Sequence, residues 1–169
     1  MQKYPKIQTV YLRDPDNKYK TLLEGQYAMP EFEYLKDNEW YFTEKIDGTN
    51  TRVMWHGIMP GAETLTFHGR SDKAQIPPFL LDKLQGIFHK DRFSEVFEEP
   101  TNVCLYGEGY GARIQKGGGD YIPDGVDFIL FDVKIEDWWL KREDGQSNIL
   151  YILEHCNIML ANVADSVFN

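Results

Sequence analysis

What the sequence lacks narrows its class first. No apolar run approaches the roughly 20 residues needed to span a bilayer, and the opening Met1-Gln2-Lys3-Tyr4-Pro5 has no apolar centre of the kind a secretory leader carries. A cytoplasmic protein that stays off membranes is therefore the expectation. Cysteine is scarce: Cys104 and Cys156 are the two in 169 residues, far apart and outside any CxxC pair. Neither a disulfide framework nor a zinc site is indicated, which leaves two buried, reduced thiols. The histidines, His56, His68, His89 and His155, share no metal-ligand spacing and read as structural, so no residue is assigned to a metal. Positive charge is in deficit, with 18 Lys and Arg against 27 Asp and Glu and a formal net charge of −9. Coating nucleic acid by bulk attraction needs the opposite balance. Any phosphate site has to be local, with the fold gathering scattered cations such as Lys45, Arg70, Arg113 and Lys116. Repeats, low-complexity segments and long polar linkers are also missing, so residues 1–169 are expected to form a single domain.

What is present suffices for one sizeable core, since 42% of the residues are hydrophobic and 14% aromatic. Asp14-Pro15-Asp16-Asn17 reads as a turn. Trp40 to Thr43 and Thr51 to Trp55 are aromatic or β-branched and flank Asp47-Gly48-Thr49-Asn50, the pattern of a β-hairpin. Thr64 to His68 alternates as a strand. Pro77-Pro78 opens a helix in which Phe79, Leu80, Leu84, Ile87 and Phe88 recur at helical spacing, and Phe93 to Phe97 reads as a second, shorter one. Val103 to Tyr106 is a strand followed by a glycine-dense span from Gly107 to Gly119. Phe128 to Val133 is a nearly continuous apolar strand, extended after a bend by Ile135 to Leu140. Ser147 to Cys156 fits a helix with Ser147 as N-cap, and Met159 to Val163 a last strand. More strand than helix, with helices between strands, places the chain in the α+β class.

The stretch Glu44-Lys45-Ile46-Asp47-Gly48 carries the first chemistry. A lysine beside a turn is by default a surface ion pair, and a pattern this short recurs by chance. As a covalent nucleophile, lysine attacks only as the neutral amine and needs a fixed line of approach. A strand end rigidified by a glycine turn supplies the second requirement. Gly117-Gly118-Gly119 lacks the GK[ST] ending of a phosphate-cradling loop and reads instead as a flexible surface loop.

Four stretches in order then point to one family. Glu44-Lys45-Ile46-Asp47-Gly48 resembles the nucleophile motif of the covalent nucleotidyltransferases, the ATP-dependent DNA and RNA ligases and capping enzymes, and the following Thr49-Asn50 is similar to the RNA ligase branch with the phage nick-sealing enzymes. His68-Gly69-Arg70-Ser71 resembles the arginine-bearing motif that follows the nucleophile. Leu105-Tyr106-Gly107-Glu108-Gly109 resembles the strand-end glutamate motif, and Gly111-Ala112-Arg113-Ile114-Gln115-Lys116 the matching loop of nick-sealing RNA ligases. Phe128-Ile129-Leu130-Phe131-Asp132-Val133 is similar to the motif whose aromatic residue packs on the base. The resemblance runs from about Tyr4 to Leu140.

By that resemblance the fold is an ATP-grasp-like nucleotidyltransferase domain of antiparallel sheets with flanking helices and the nucleotide in the groove between them. Lys45 attacks the α-phosphorus of ATP, with Mg²⁺ as cofactor, to give a lysyl-AMP intermediate. Glu44 helps read the adenine, Asn50 and Arg70 lie near the nucleotide, and Glu108 accepts from a ribose hydroxyl. Phe131 stacks on the base, worth about 1–3 kcal/mol for such stacks in general. Arg113, Gln115 and Lys116 contact an RNA with 5′-phosphate and 3′-hydroxyl ends. Plain alternatives stand beside these roles: core packing for Phe131, backbone capping for Glu108 and a solvated loop for Arg113 to Lys116; for Asp47 the readings are orienting Lys45, binding a metal through water, or stabilising the turn.

The family pattern also carries a downstream metal-handling glutamate and a strand with two lysines. After Leu140 this sequence offers Glu143-Asp144-Gly145 and Glu154 but no KxK strand, and Lys141 is the last lysine. Attack on a triphosphate requires its charge to be neutralised. The expectation is a C-terminally incomplete domain, weak in self-adenylylation on its own, with a separate C-terminal fragment as a candidate partner. A nucleotide- or RNA-binding module without turnover, and a DNA ligase or capping-type enzyme, are the alternative functions.

Overall fold

The computed structural model describes residues 3–40, 42, 44–57, 61–97, 100–140 and 159–160. The chain groups into two compact units, Tyr4–Thr43 and the remainder. Among the described residues, no helix is long and apolar enough to cross a membrane.

The smaller unit is a two-stranded antiparallel sheet of β1 (Tyr11–Arg13) and β2 (Leu22–Tyr27), followed by the short helix α1 (Pro30–Tyr34). The expected turn at Asp14 joins the strands. Its carboxylate accepts the Asp16 N–H at 2.9 Å, the local bond that makes Asp a turn former. Proline stands at the start of α1, where its missing N–H costs nothing. Trp40 closes the unit by donating its indole N–H to the Leu35 carbonyl at 3.0 Å.

The larger unit is built on one sheet. Its strands are β3 (Thr49–His56), β4 (Thr64–Gly69), β5 (Asn102–Gly111), β6 (Val126–Ile135), β7 (Trp138–Trp139) and β8 (Met159–Leu160). The order is β4-β3-β5-β6-β7, antiparallel throughout, with β8 added parallel to β6. Between strands lie α2 (Pro78–Ile87), α3 (Lys90–Val96) and α4 (Gly118–Tyr121). Residues directly opposite across strands share a face. Val53 and Trp55 pair with Leu105 and Val103, which pair in turn with Val133 and Ile135. This face packs on Leu80 and Leu84 of α2 and Phe93 of α3. Trp55 stacks on Phe93 at 5.5 Å, and Phe88 meets Phe128 edge-on at 5.4 Å. Each such side chain, fully buried, contributes about 1.5–3 kcal/mol. The opposite face carries Asn50, Arg52, Tyr106 and Glu108, the polar half of the same alternation.

Two expectations are corrected here. Among the described residues, Trp40 and Phe42 belong to no strand and no hairpin forms around Asp47 to Asn50. Both edges of β3 are occupied, one by β4 and the other by β5, so neither is open to a preceding strand. The glycine-dense span after Tyr106 is not loop from its outset: β5 runs on through Gly107 and Gly109 to Gly111. Those glycines provide clearance rather than flexibility. A Cβ on Gly107 would strike the Phe128 ring, and one on Gly109 would strike Leu80 of α2. The expected helix Ser147 to Cys156 lies outside the described residues, as does the last strand apart from Met159–Leu160. Cys104 is buried, and Cys156 lies outside the described residues.

Gly107→Ala is expected to lose about 1–3 kcal/mol in urea unfolding, the cost of overpacking a filled core. A loss below about 0.5 kcal/mol would contradict the role assigned to this glycine.

Candidate active site

Lys45 lies not at a strand end but in the irregular segment 44–48 that feeds β3. The lysine is exposed, yet its segment is tied down on both sides. Gly48 sits directly on β5, where a Cβ would strike the Gly109 carbonyl oxygen and come within 2.8 Å of Glu108 Cγ. The Gly48 N–H faces the Glu108 carboxyl closely enough to draw its pKa down, and the Gly48 carbonyl accepts from Gln115 Nε2 at 3.1 Å. One residue earlier, the Asp47 N–H donates to Tyr121 Oη at 3.3 Å. Tyr121 in turn donates its hydroxyl proton to Glu44 Oε1 at 3.1 Å. The backbone is thus held at Asp47 and Gly48, and the side chain at Glu44, with Lys45 between.

Glu108 is the electrostatic centre of this arrangement. Burial pushes its carboxyl above the ordinary glutamate range, and Asp47 adds to that. Lys45, the Gly48 N–H and Arg70 pull the other way. The charges that act on Glu108 therefore come from two sequence-distant stretches, the segment 44–48 and the loop with Arg70, gathered around one strand. Asn50 stands directly opposite Glu108 in the β3–β5 register. Its Oδ1 is buried and has no hydrogen-bond donor, an acceptor left open beside a half-buried carboxyl.

Arg70 is exposed, on a loop that the sheet holds from below. Arg52, only 1% exposed in mid-strand, donates through Nε to the Gly69 carbonyl at 3.0 Å and through Nη2 to Asp72 Oδ1 at 2.7 Å. That hydrogen bond holds the Asp72 carboxyl below the ordinary aspartate range. A buried guanidinium requires such partners, and here they fix the residues on either side of Arg70. His68 and His56 have local partners, Thr66 Oγ1 at 3.0 Å and Asn102 Oδ1 at 3.2 Å. Burial pushes the His68 imidazole pKa down.

Phe131 occupies a β-bulge. Tyr106 pairs with Asp132 and Gly107 with Leu130, so the register shifts at Phe131. A bulge takes a side chain out of strict alternation and re-aims it. Phe128, Leu130 and Val133 of the same strand are core residues, whereas Phe131 is half-buried. Arg113 and Lys116 are exposed on the turn after β5, Arg113 in the left-handed region at φ 67°. Gln115, between them, is engaged by Gly48.

The glycine triplet is a further correction. Gly118 is buried and opens α4, lying against the Gly111 carbonyl where a Cβ has no room. What reads as a flexible loop is a packed turn that delivers Tyr121 to the Lys45 segment. Tyr121 and Arg52 are the two residues that sequence reasoning missed. For Arg52 the signal was there: a charge inside the strand stretch Thr51 to Trp55, next to the apolar run Val53-Met54-Trp55, has to find a partner. For Tyr121 none was, because its role depends on two hydrogen bonds to residues 74 and 77 positions away. Among the described residues no group of three or more His, Cys, Asp or Glu forms a metal cage.

Residues 38–159 match the family model described as RNA ligase. No curated protein matches the sequence. Solved structures of Naegleria gruberi RNA ligase are similar in fold. A ligand-free mutant superposes with a TM-score of 0.54 at 19% identity, over 70% of this chain and 33% of that one. A mutant with AMP and Mn gives 0.53 at 18% identity, and one with ATP and Mn gives 0.55 at 18%, each over 70% of this chain and 34% of the other. The chain thus spans about a third of the length of these structures.

The raised Glu108 pKa has a definite sign. The folded chain holds this proton more tightly than the unfolded chain, whose value is near 4.5. Its contribution to stability is full below that pH and is lost as pH rises through the raised value. Glu108→Gln keeps an acceptor for Gly48 and cannot ionise. In urea unfolding at about pH 4 and about pH 7, the Gln variant is expected to gain stability relative to the unsubstituted chain between the two. An equal difference at both pH values would contradict the buried-carboxyl assignment.

Proposed function

Because the chain belongs to the RNA ligase family, we propose that it is an adenylyltransferase domain of an ATP-dependent RNA ligase, with Lys45 as the nucleophile. The observation that carries this reading is the immobilisation of the segment 44–48 against β5, which sets a lysine beside Glu108, a carboxyl that Arg70 also acts on. A nucleophile that has to meet a phosphorus in line benefits from such a mount.

The residues suit a nucleotide. Asn50 Oδ1 awaits a donor and Glu108 lies opposite it, a pair fitted to a ribose hydroxyl. Glu44 has one oxygen bonded to Tyr121, and a carboxylate's second oxygen is available to the adenine amino group. Phe131, on its bulge, offers a ring to the base. Arg70 offers a planar fork to phosphate oxygens. In the reaction the Lys45 amine bonds to the α-phosphorus and gives up a proton, while the bond from that phosphorus to its bridging oxygen breaks and pyrophosphate leaves with the electron pair. AMP then passes to the 5′-phosphate of an RNA end, and a 3′-hydroxyl displaces it. Arg113 and Lys116, exposed on the turn anchored by Gln115, are placed in the RNA path by this reading.

Asp47 and Glu108 lie close enough for the charge of one to act on the other. Mg²⁺ takes one or two carboxylates and otherwise phosphate oxygens and water; Asp47 is the exposed carboxylate of the two and would reach such a cation through water, while Glu108 stays with the ribose hydroxyl. When bound, Mg²⁺ neutralises triphosphate charge and polarises the α-phosphoryl group. The solved relatives carry Mn with AMP or ATP, which supports a nucleotide and a divalent cation as the ligand pair here.

Incubation with α-labelled ATP and Mg²⁺, followed by denaturing electrophoresis, is expected to leave label on the chain and none on Lys45→Ala. Label absent from the unsubstituted chain, or retained equally by the variant, would overturn the assignment.

A further inference from the structure

One hydroxyl holds the arc around Lys45 from both ends. Tyr121 Oη accepts the Asp47 N–H at 3.3 Å and donates to Glu44 Oε1 at 3.1 Å. The direction of this chain is fixed, because an amide N–H can only donate and an ionised carboxylate can only accept. Glu44 precedes Lys45 by one residue and Asp47 follows it by two, so the phenol bridges the arc that carries the amine.

The phenol is itself held. Its ring meets Tyr110 edge-on, with centroids 5.9 Å apart and planes at 90°. Tyr110 is 8% exposed on β5. The helix that carries Tyr121 is set by Gly118, which lies on the Gly111 carbonyl at the end of the same strand. A run of packed parts thus leads from β5 through Tyr110 and Tyr121 to the two residues that flank the lysine. None of the motif stretches contains Tyr121, and its own side chain carries out no bond change.

We propose that Tyr121 is a positioning residue for the nucleophile: its hydroxyl fixes the arc from Glu44 to Asp47, holding the Lys45 amine on line and orienting the carboxylate beside it. The inference rests on the reading of Lys45 as nucleophile. It differs from a purely structural tie in what it affects. A structural tie changes the stability of the fold, whereas a positioning contact changes the rate at saturating nucleotide, a loss that more nucleotide does not restore.

Tyr121→Phe removes the oxygen and keeps the ring against Tyr110. In NMR amide exchange the unsubstituted chain is expected to protect the Asp47 N–H, and the Phe variant to exchange it about threefold to tenfold faster, the factor one net hydrogen bond is worth. Fast exchange at Asp47 in the unsubstituted chain, or no change in the variant, overturns the clamp. In single-turnover labelling with α-labelled ATP, the rate at saturating ATP is expected to fall by about tenfold to a hundredfold, beyond any rise in the half-saturating ATP concentration that the release of Glu44 causes. An unchanged rate, or a loss confined to the half-saturating concentration, overturns the positioning role. Absence of label on the unsubstituted chain overturns the nucleophile assignment instead, and the two failures are read from different samples.

Discussion

The site depends on one close approach, that of Gly48 to strand β5. A segment without regular structure has nothing of its own to hold a lysine in place, so its order has to be imposed by a neighbour. Gly48 provides the point of contact because it has no Cβ: its backbone lies on the Gly109 carbonyl and against Glu108 Cγ, where any other residue would force the segment away. At that distance its N–H acts on the Glu108 carboxyl and its carbonyl accepts from Gln115. The remaining ties, at Asp47 and Glu44, complete what this contact begins.

The same contact explains the electrostatics. A carboxyl at the centre of a sheet face is costly to ionise, and burial does raise the Glu108 pKa. It is tolerated because a backbone donor and two cations are brought to it, Lys45 from the segment before β3 and Arg70 from the loop after β4. The sheet determines both. Gly48 leads into β3, and Arg52 of β3 fixes the flanks of Arg70 through Gly69 and Asp72. One strand therefore controls the approach of both cations to its neighbour, and a helix-packed core on the opposite face keeps that strand rigid.

Much of this was legible in the sequence and part of it was not. Helices α2 and α3 and strands β4, β5 and β6 follow from periodicity, because their apolar residues repeat at the spacing their packing demands. Of the residues in the motif stretches, Lys45, Asn50 and Arg70 come together around Glu108 in the fold. The hairpin at Trp40 failed because local pattern cannot reveal that both edges of β3 are already taken. The glycines misled in the same way. At Gly107, Gly109 and Gly118 the missing Cβ serves a contact with a residue far along the chain, which no local window contains. Tyr121 was invisible for the same reason, as its value lies wholly in long-range partners.

The most direct test of the account is Gly48→Ala, whose added methyl has to push the segment off β5 while the core on the other face stays intact. With far-UV circular dichroism confirming the fold, the rate of label transfer from α-labelled ATP to Lys45 is expected to fall by about a hundredfold, as for a nucleophile displaced by about 1 Å. Transfer at the unsubstituted rate would contradict the claim that the seat of Gly48 on β5 aims the lysine.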